Sequence, residues 1–174
     1  MSTAWPRQNL RWPPRKIDDL RRRLDELSAT VNGKPPDSIS EEVRSWLARL
    51  LVVRSCGYLE QVVAEVCRGY IEEKSGGRVR SYARASFERL NHPGSEFLLS
   101  LVRRFGTDLE NELRAFLDQD DQRVRRELEF LVNRRHRIAH GENEDIGARK
   151  ALDLKDLSCE VADWFILAFN PHRL

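Results

Sequence analysis

The chain has 174 residues, 40% hydrophobic and 33% charged, enough to enclose one ordinary core without disulfide or metal support. Thirty Lys and Arg stand against twenty-eight Asp and Glu, a net charge of +2, so overall charge does not announce a nucleic-acid binder. No stretch approaches the roughly 20 apolar residues of a membrane span, and the N-terminus has no apolar run that would serve as a secretion signal.

Residues 1–15 carry Pro6, Pro13 and Pro14 with Trp5 and Trp12. They read as an irregular arm whose tryptophans are packing anchors rather than base-stacking platforms. The remainder, 16–174, reads as a single helical domain. Ile17, Leu20, Leu24, Leu27 and Val31 repeat at helical spacing, and Asn32-Gly33 closes that helix. After the linker GKPPDS, Ser38 and Ser40 both suit an N-cap, with Glu41 and Glu42 as an acidic first turn after Ser40.

From Val43 the apolar pattern runs through Trp46, Leu50, Tyr58, Leu59, Val62, Val66 and Tyr70 with no proline before Gly76-Gly77. That predicts one helix of nine or so turns, the spine of a bundle. Gly57 falls in its middle, where glycine costs about 1 kcal/mol relative to alanine, so another helix is expected to approach closely there. Further helices are predicted over roughly 79–90, 95–105, 108–117 and 122–139, with Asp118 to Asp121 as an acidic cap before the last of these. An acidic loop, GENEDIGARKALDL, then leads to a final helix over about 154–169. Alternating strand patterns are absent, so the fold class is all-α, an antiparallel helical bundle with one long central helix.

Arginine far outnumbers lysine, and its planar fork suits phosphates and ion pairs. A GC-rich coding bias explains the same excess equally well. Three cysteines, Cys56, Cys67 and Cys159, lack metal-ligand spacing. Their odd number fits reduced thiols, so the protein is expected to be soluble and cytoplasmic.

The run RRHRIAHGEN, residues 134–143, is the candidate site. On its helix Val124, Leu128, Leu131 and Ile138 form the apolar stripe, and Arg135 falls on the same stripe. An arginine there must pair with a carboxylate or face a solvated cleft, because an unpaired buried guanidinium is costly. Glu60, among apolar neighbours on the long helix, is a candidate partner, and a surface position is its other reading. His136 and His140 are four apart and share a face, while Gly141 suits a helix C-cap.

Three readings follow. The run is a basic helix end that favours the dipole, worth roughly 0.3–1 kcal/mol per cation. Or His-x-x-x-His holds zinc, against which stand the missing third ligand and three neighbouring arginines. Or a histidine takes a proton from an RNA 2′-hydroxyl while an arginine holds the phosphate, chemistry that needs no metal or other cofactor. Asn133, Arg134 and Arg137 flank the pair as candidate RNA-phosphate contacts, or as a solvated basic face. Arg21-Arg22-Arg23 reads as a solvated face with RNA docking as the alternative, His92 as a turn residue and His172 as a tail residue.

These residues resemble a known signature. RRHRIAHGEN is similar to the R-x4-6-H motif of HEPN domains: Arg135, a polar second position at His136, and His140 at x4 spacing. The segments RSCGYLEQVVAEVCRGYI and NHPGSEFLLSLVRRFG resemble the RiboL-PSP branch of that family, over roughly residues 41–169. The resemblance implies a helical bundle that dimerises with two motifs facing one cleft. It also implies a metal-independent endoribonuclease, often a toxin or antiphage effector with an antitoxin or defence partner. Arg135 and His140 are then the catalytic pair, assisted by His136. Toxins of the family that are silenced by AMP transfer carry tyrosine two residues after the histidine; here that position is Glu142, which argues against this control. Some HEPN domains are non-catalytic interaction or nucleotide-binding modules, and that alternative stays open at this point.

Overall fold

The structure, a computed structural model, describes residues 11–33, 40–85, 87, 93–142 and 145–173. Trp5, Ser38, Leu90 and His92 lie outside the described residues. Seven helices and no strand appear among those described: α1 (Arg15–Asn32), α2 (Glu41–Lys74), α3 (Gly77–Ala85), α4 (Ser95–Arg103), α5 (Thr107–Leu117), α6 (Gln119–Ala139) and α7 (Ala148–Ala168).

The spine is α2, 34 residues long. Ser40 caps it, its Oγ accepting the Val43 N–H at 3.3 Å, so one of the two sequence candidates is used. Val52, Cys56, Leu59, Val62, Val66 and Cys67 are fully buried, and apolar residues cover nearly every side of the middle turns. A helix apolar all round belongs inside a core, and α2 packs against α7, α1 and α6. Ser55 and Ser158, buried hydroxyls, return their protons to the carbonyls of Leu51 and Leu154 one turn back, which removes the penalty of an unpaired polar group.

Polar pairs fix the directions of the outer helices. Lys16 meets Glu65 at 2.5 Å and Arg21 lies over the Tyr58 ring at 5.4 Å, so α1 runs antiparallel to α2. Arg21 also pairs with Asp163, and Lys155 with Asp25 at 2.7 Å, so α1 is antiparallel to α7. Lys150–Glu127 at 2.5 Å and Arg123–Glu160 at 2.7 Å run α6 back along α7. Glu129 Oε1 on α6 accepts the Ser95 N–H at 2.7 Å and its hydroxyl at 2.6 Å, giving α4 an N-cap from distant sequence. Trp12 anchors the segment before α1: its Nε1 donates to the Ile166 carbonyl at 2.9 Å, and its ring lies where a side chain at Gly69 would stand. At the end of the bundle Phe105 meets Phe169 and Tyr70 edge-on, with centroids 4.9 and 6.0 Å apart, within the range that aromatic pairs prefer.

Two expectations are corrected. The last helix begins at Ala148, not near Leu154: Ala151 and Leu154 are already fully buried, and the first turn's small and charged residues hid that face from the periodicity. Gly57 receives no close helix, since a Cβ added there would meet nothing within 4 Å. Space, not contact, surrounds it.

Candidate active site

The C-terminal end of α6 is closed by a Schellman turn. The Gly141 N–H donates to the Ile138 carbonyl at 3.1 Å and the Glu142 N–H to the Arg137 carbonyl at 3.0 Å. Gly141 has φ +77°, a left-handed conformation that glycine adopts without the Cβ clash. Arg137 also grips the turn from outside, its Nε donating to Glu142 Oε2 at 2.6 Å. His140 is thus the last residue before a firmly built corner, and it is exposed. His136, also exposed, lies against it with ring centroids 4.3 Å apart.

Arg135 points elsewhere. It is half-buried and lines a cavity of about 180 Å³ between α1, α2 and α6, with Arg23, Arg54, Gly57, Tyr58 and Gln61. Of the two settings expected for an arginine on an apolar stripe, a carboxylate partner or a cleft, the cleft is present. The carboxylate partner is not: Glu60 accepts the Cys56 S–H at 3.9 Å, and no ion pair joins it to Arg135 among the described residues. Burial, with the Glu60 charge adding to it, pushes the Cys56 thiol up to about 12, and the positive charge of Arg135 opposes the rise. Within one chain no hydrogen bond or ring contact joins Arg135 to His140 among the described residues. Five residues put them about 140° apart around the helix, in keeping with separate placements.

The flanking residues divide. Asn133 is exposed. The Arg134 guanidinium lies over the Phe130 ring at 4.8 Å, and Arg137 is held by Glu142, so neither is simply a solvated charge. Arg21 and Arg22 are paired with Asp163 and Asp19, whereas Arg23 lines the cavity. Sequence reasoning missed Arg23 and Arg54 as neighbours of Arg135; Arg23 entered it only within Arg21-Arg22-Arg23, with RNA docking as the alternative, and Gly57, read there as a helix crossing, borders the space they share. His172 is exposed near the chain's end. Among the described residues no group of three His, Cys, Asp or Glu side chains is placed to hold a metal, and no helix is long and apolar enough to cross a membrane.

An all-α bundle with an arginine in a cleft and a histidine pair at the end of the same helix defines a class, that of helical domains carrying an R-x4-H motif. The RiboL-PSP-HEPN family model matches residues 18–169, most of the chain, and the protein belongs to that family. No curated protein and no solved structure matches it.

Proposed function

We propose that this protein is a metal-independent endoribonuclease of HEPN type. The observation that carries the reading is the build of the α6 terminus: two exposed histidines in ring contact on a braced corner, next to an arginine in a cleft without a carboxylate. Histidine as a residue type exchanges protons near neutrality. His140 takes the proton of a 2′-hydroxyl, with His136 at its side. The 2′-oxygen then bonds to phosphorus as the bond to the 5′-oxygen breaks, and Arg135 offsets the charge that builds on the phosphoryl oxygens. The 5′-oxygen leaves with a proton drawn from water, and the products are a 2′,3′-cyclic phosphate and a 5′-hydroxyl. No metal or cofactor enters these steps.

The separate placement of Arg135 and His140 favours a site completed by a second copy of the chain. Val43, Trp46 and Leu50 on α2 are 44%, 61% and 46% exposed. At spacings of three and four they form one apolar stripe, which continues along α2 toward Val53 and Gly57 at the cleft. A homodimer built on this stripe covers it and places two clefts close together. In the cell the activity fits a toxin or antiphage effector acting with an antitoxin or defence partner.

The test uses purified protein with total RNA in EDTA. Wild type cleaves and leaves cyclic phosphate ends, His140→Ala cleaves at least about 100-fold more slowly, and Trp46→Glu sediments as a monomer. RNA left intact by the wild type, or cut equally by His140→Ala, overturns the reading.

A further inference from the structure

The cavity beside Gly57 brings together arginines from three helices. Arg23 from α1, Arg54 from α2 and Arg135 from α6 line one space, and none of them makes a hydrogen bond or ion pair among the described residues. Other arginines have carboxylates at hand: Arg22 meets Asp19 at 2.9 Å, Arg68 meets Glu65 at 2.5 Å and Arg149 meets Asp153 at 3.3 Å. No acidic residue lines the cavity, and Glu60, nearby on α2, is engaged with Cys56. Three arginines that line one space with no counter-charge in its lining all attract an anion that enters it.

Other features supply room. A side chain at Gly57 would project into open space, so the glycine keeps the cavity deep. Gln61, also on the lining, folds its amide back, Nε2 donating to the Gly57 carbonyl at 3.1 Å. At about 180 Å³ the space far exceeds the roughly 10–15 Å³ that a single water occupies by a like measure. It suits a tetrahedral anion.

We propose that Arg23 and Arg54 join Arg135 to form a phosphate subsite that grips the backbone of single-stranded RNA beside the bond to be cut. The proposal rests on the ribonuclease reading for its choice of phosphate source and for nothing else. Arg23 and Arg54 are binding residues, so their loss weakens RNA capture and raises KM more than it lowers kcat. Gly57→Leu fills the same space without changing charge.

The experiment measures binding of a fluorescent oligoribonucleotide to His140→Ala protein across a salt series, with Arg23→Ala, Arg54→Ala and Gly57→Leu each added. Arg23 and Arg54 are exposed, so their removal leaves the melting transition in place, and circular dichroism checks this. Each arginine variant is expected to weaken RNA binding about tenfold and to flatten its salt dependence by roughly one ion released. Gly57→Leu weakens it comparably. Unchanged affinity and slope in both arginine variants overturn the subsite, and RNA cleavage by wild type then still upholds the nuclease. Conversely, weakened binding in these variants alongside no cleavage by wild type sustains the subsite and sinks the nuclease. A parallel titration with inorganic phosphate separates the sources. Phosphate binding lost in the arginine variants while RNA binding is retained would reassign the cavity to a free anion and overturn the RNA proposal.

Discussion

Gly57 and Gly141 are both glycines near the site, yet opposite physics keeps them. Gly141 is held by its backbone, since φ +77° in the Schellman turn is where an L side chain strains. Gly57 has ordinary helical backbone and no neighbour within 4 Å of a Cβ, so nothing in the packing demands it. Alanine there removes the helical cost of glycine and meets no obstacle. Gly57→Ala is therefore expected to raise stability by about 0.5–1 kcal/mol, measured by urea unfolding. A loss of stability would mean that packing keeps this glycine after all. The sequence reader sees only that glycine sits mid-helix and reaches for the commoner cause, a helix crossing. Arg135 was legible because its position on the stripe depends on counting along one helix. Its companions Arg23 and Arg54 were not, because they arrive from two other helices, and no periodicity within a chain records which arginines meet in space.

At the scale of elements, boundaries depend on terms that hydrophobic spacing does not carry. The spine α2 was readable from end to end because an unbroken apolar pattern, a serine cap and a glycine pair all agree. The start of α7 was not, because Arg149, Lys150 and Asp153 make its first turns look like loop although Ala151 is fully buried. The entry to α6 is the most unusual stretch of backbone. Asp120, Asp121 and Gln122 have φ of 49°, 55° and 61°, three successive left-handed residues between α5 and the regular turns that begin at Arg123. Aspartate tolerates this region better than most residues, and the two aspartates also lie near Arg123 and Arg126, at 3.7 and 3.2 Å. The acidic cap of the sequence reading thus exists, but as ion pairs around a left-handed turn. Gln122 has no such compensation in its side-chain type. The left-handed conformation costs a residue of this kind roughly 1–2 kcal/mol, and glycine gives back about 0.5–1 kcal/mol of that through unfolded-state entropy. Gln122→Gly should thus stabilise the protein by about 0.5–1 kcal/mol, seen as a higher urea midpoint at unchanged slope. A lower midpoint would show that Gln122 is not strained.

Across the whole molecule, ionisable groups in the core share one bias. Burial pushes the thiols of Cys56, Cys67 and Cys159 and the hydroxyl of Tyr58 above their ordinary values, against the opposing pull of nearby cations such as Arg135, Arg104 and Arg21. For Lys155 burial works downward, but the Asp25 carboxylate and neighbouring negative groups outweigh it and the ammonium is held longer than usual. The sign is the same for all five groups. Each keeps its proton more firmly when folded, so its contribution is fully present below the unfolded value and is lost as pH rises through the folded one. For Cys56 the window runs from the ordinary 9.0 to about 12. Within it the unfolded chain ionises while the buried thiol does not, and each such thiol removes about 1.4 kcal/mol of stability per pH unit. The expected outcome is a melting temperature that holds level from pH 7 to 8.5 and falls steeply above 9, and a shallower fall in Cys56→Ala, whatever its starting stability. The same burial makes all three thiols slow to react with a thiol reagent at pH 8 until denaturant is added. A melting temperature that stays level to pH 11, or a Cys56→Ala curve parallel to the wild type, would show that burial of these groups does not govern the protein's response to alkali.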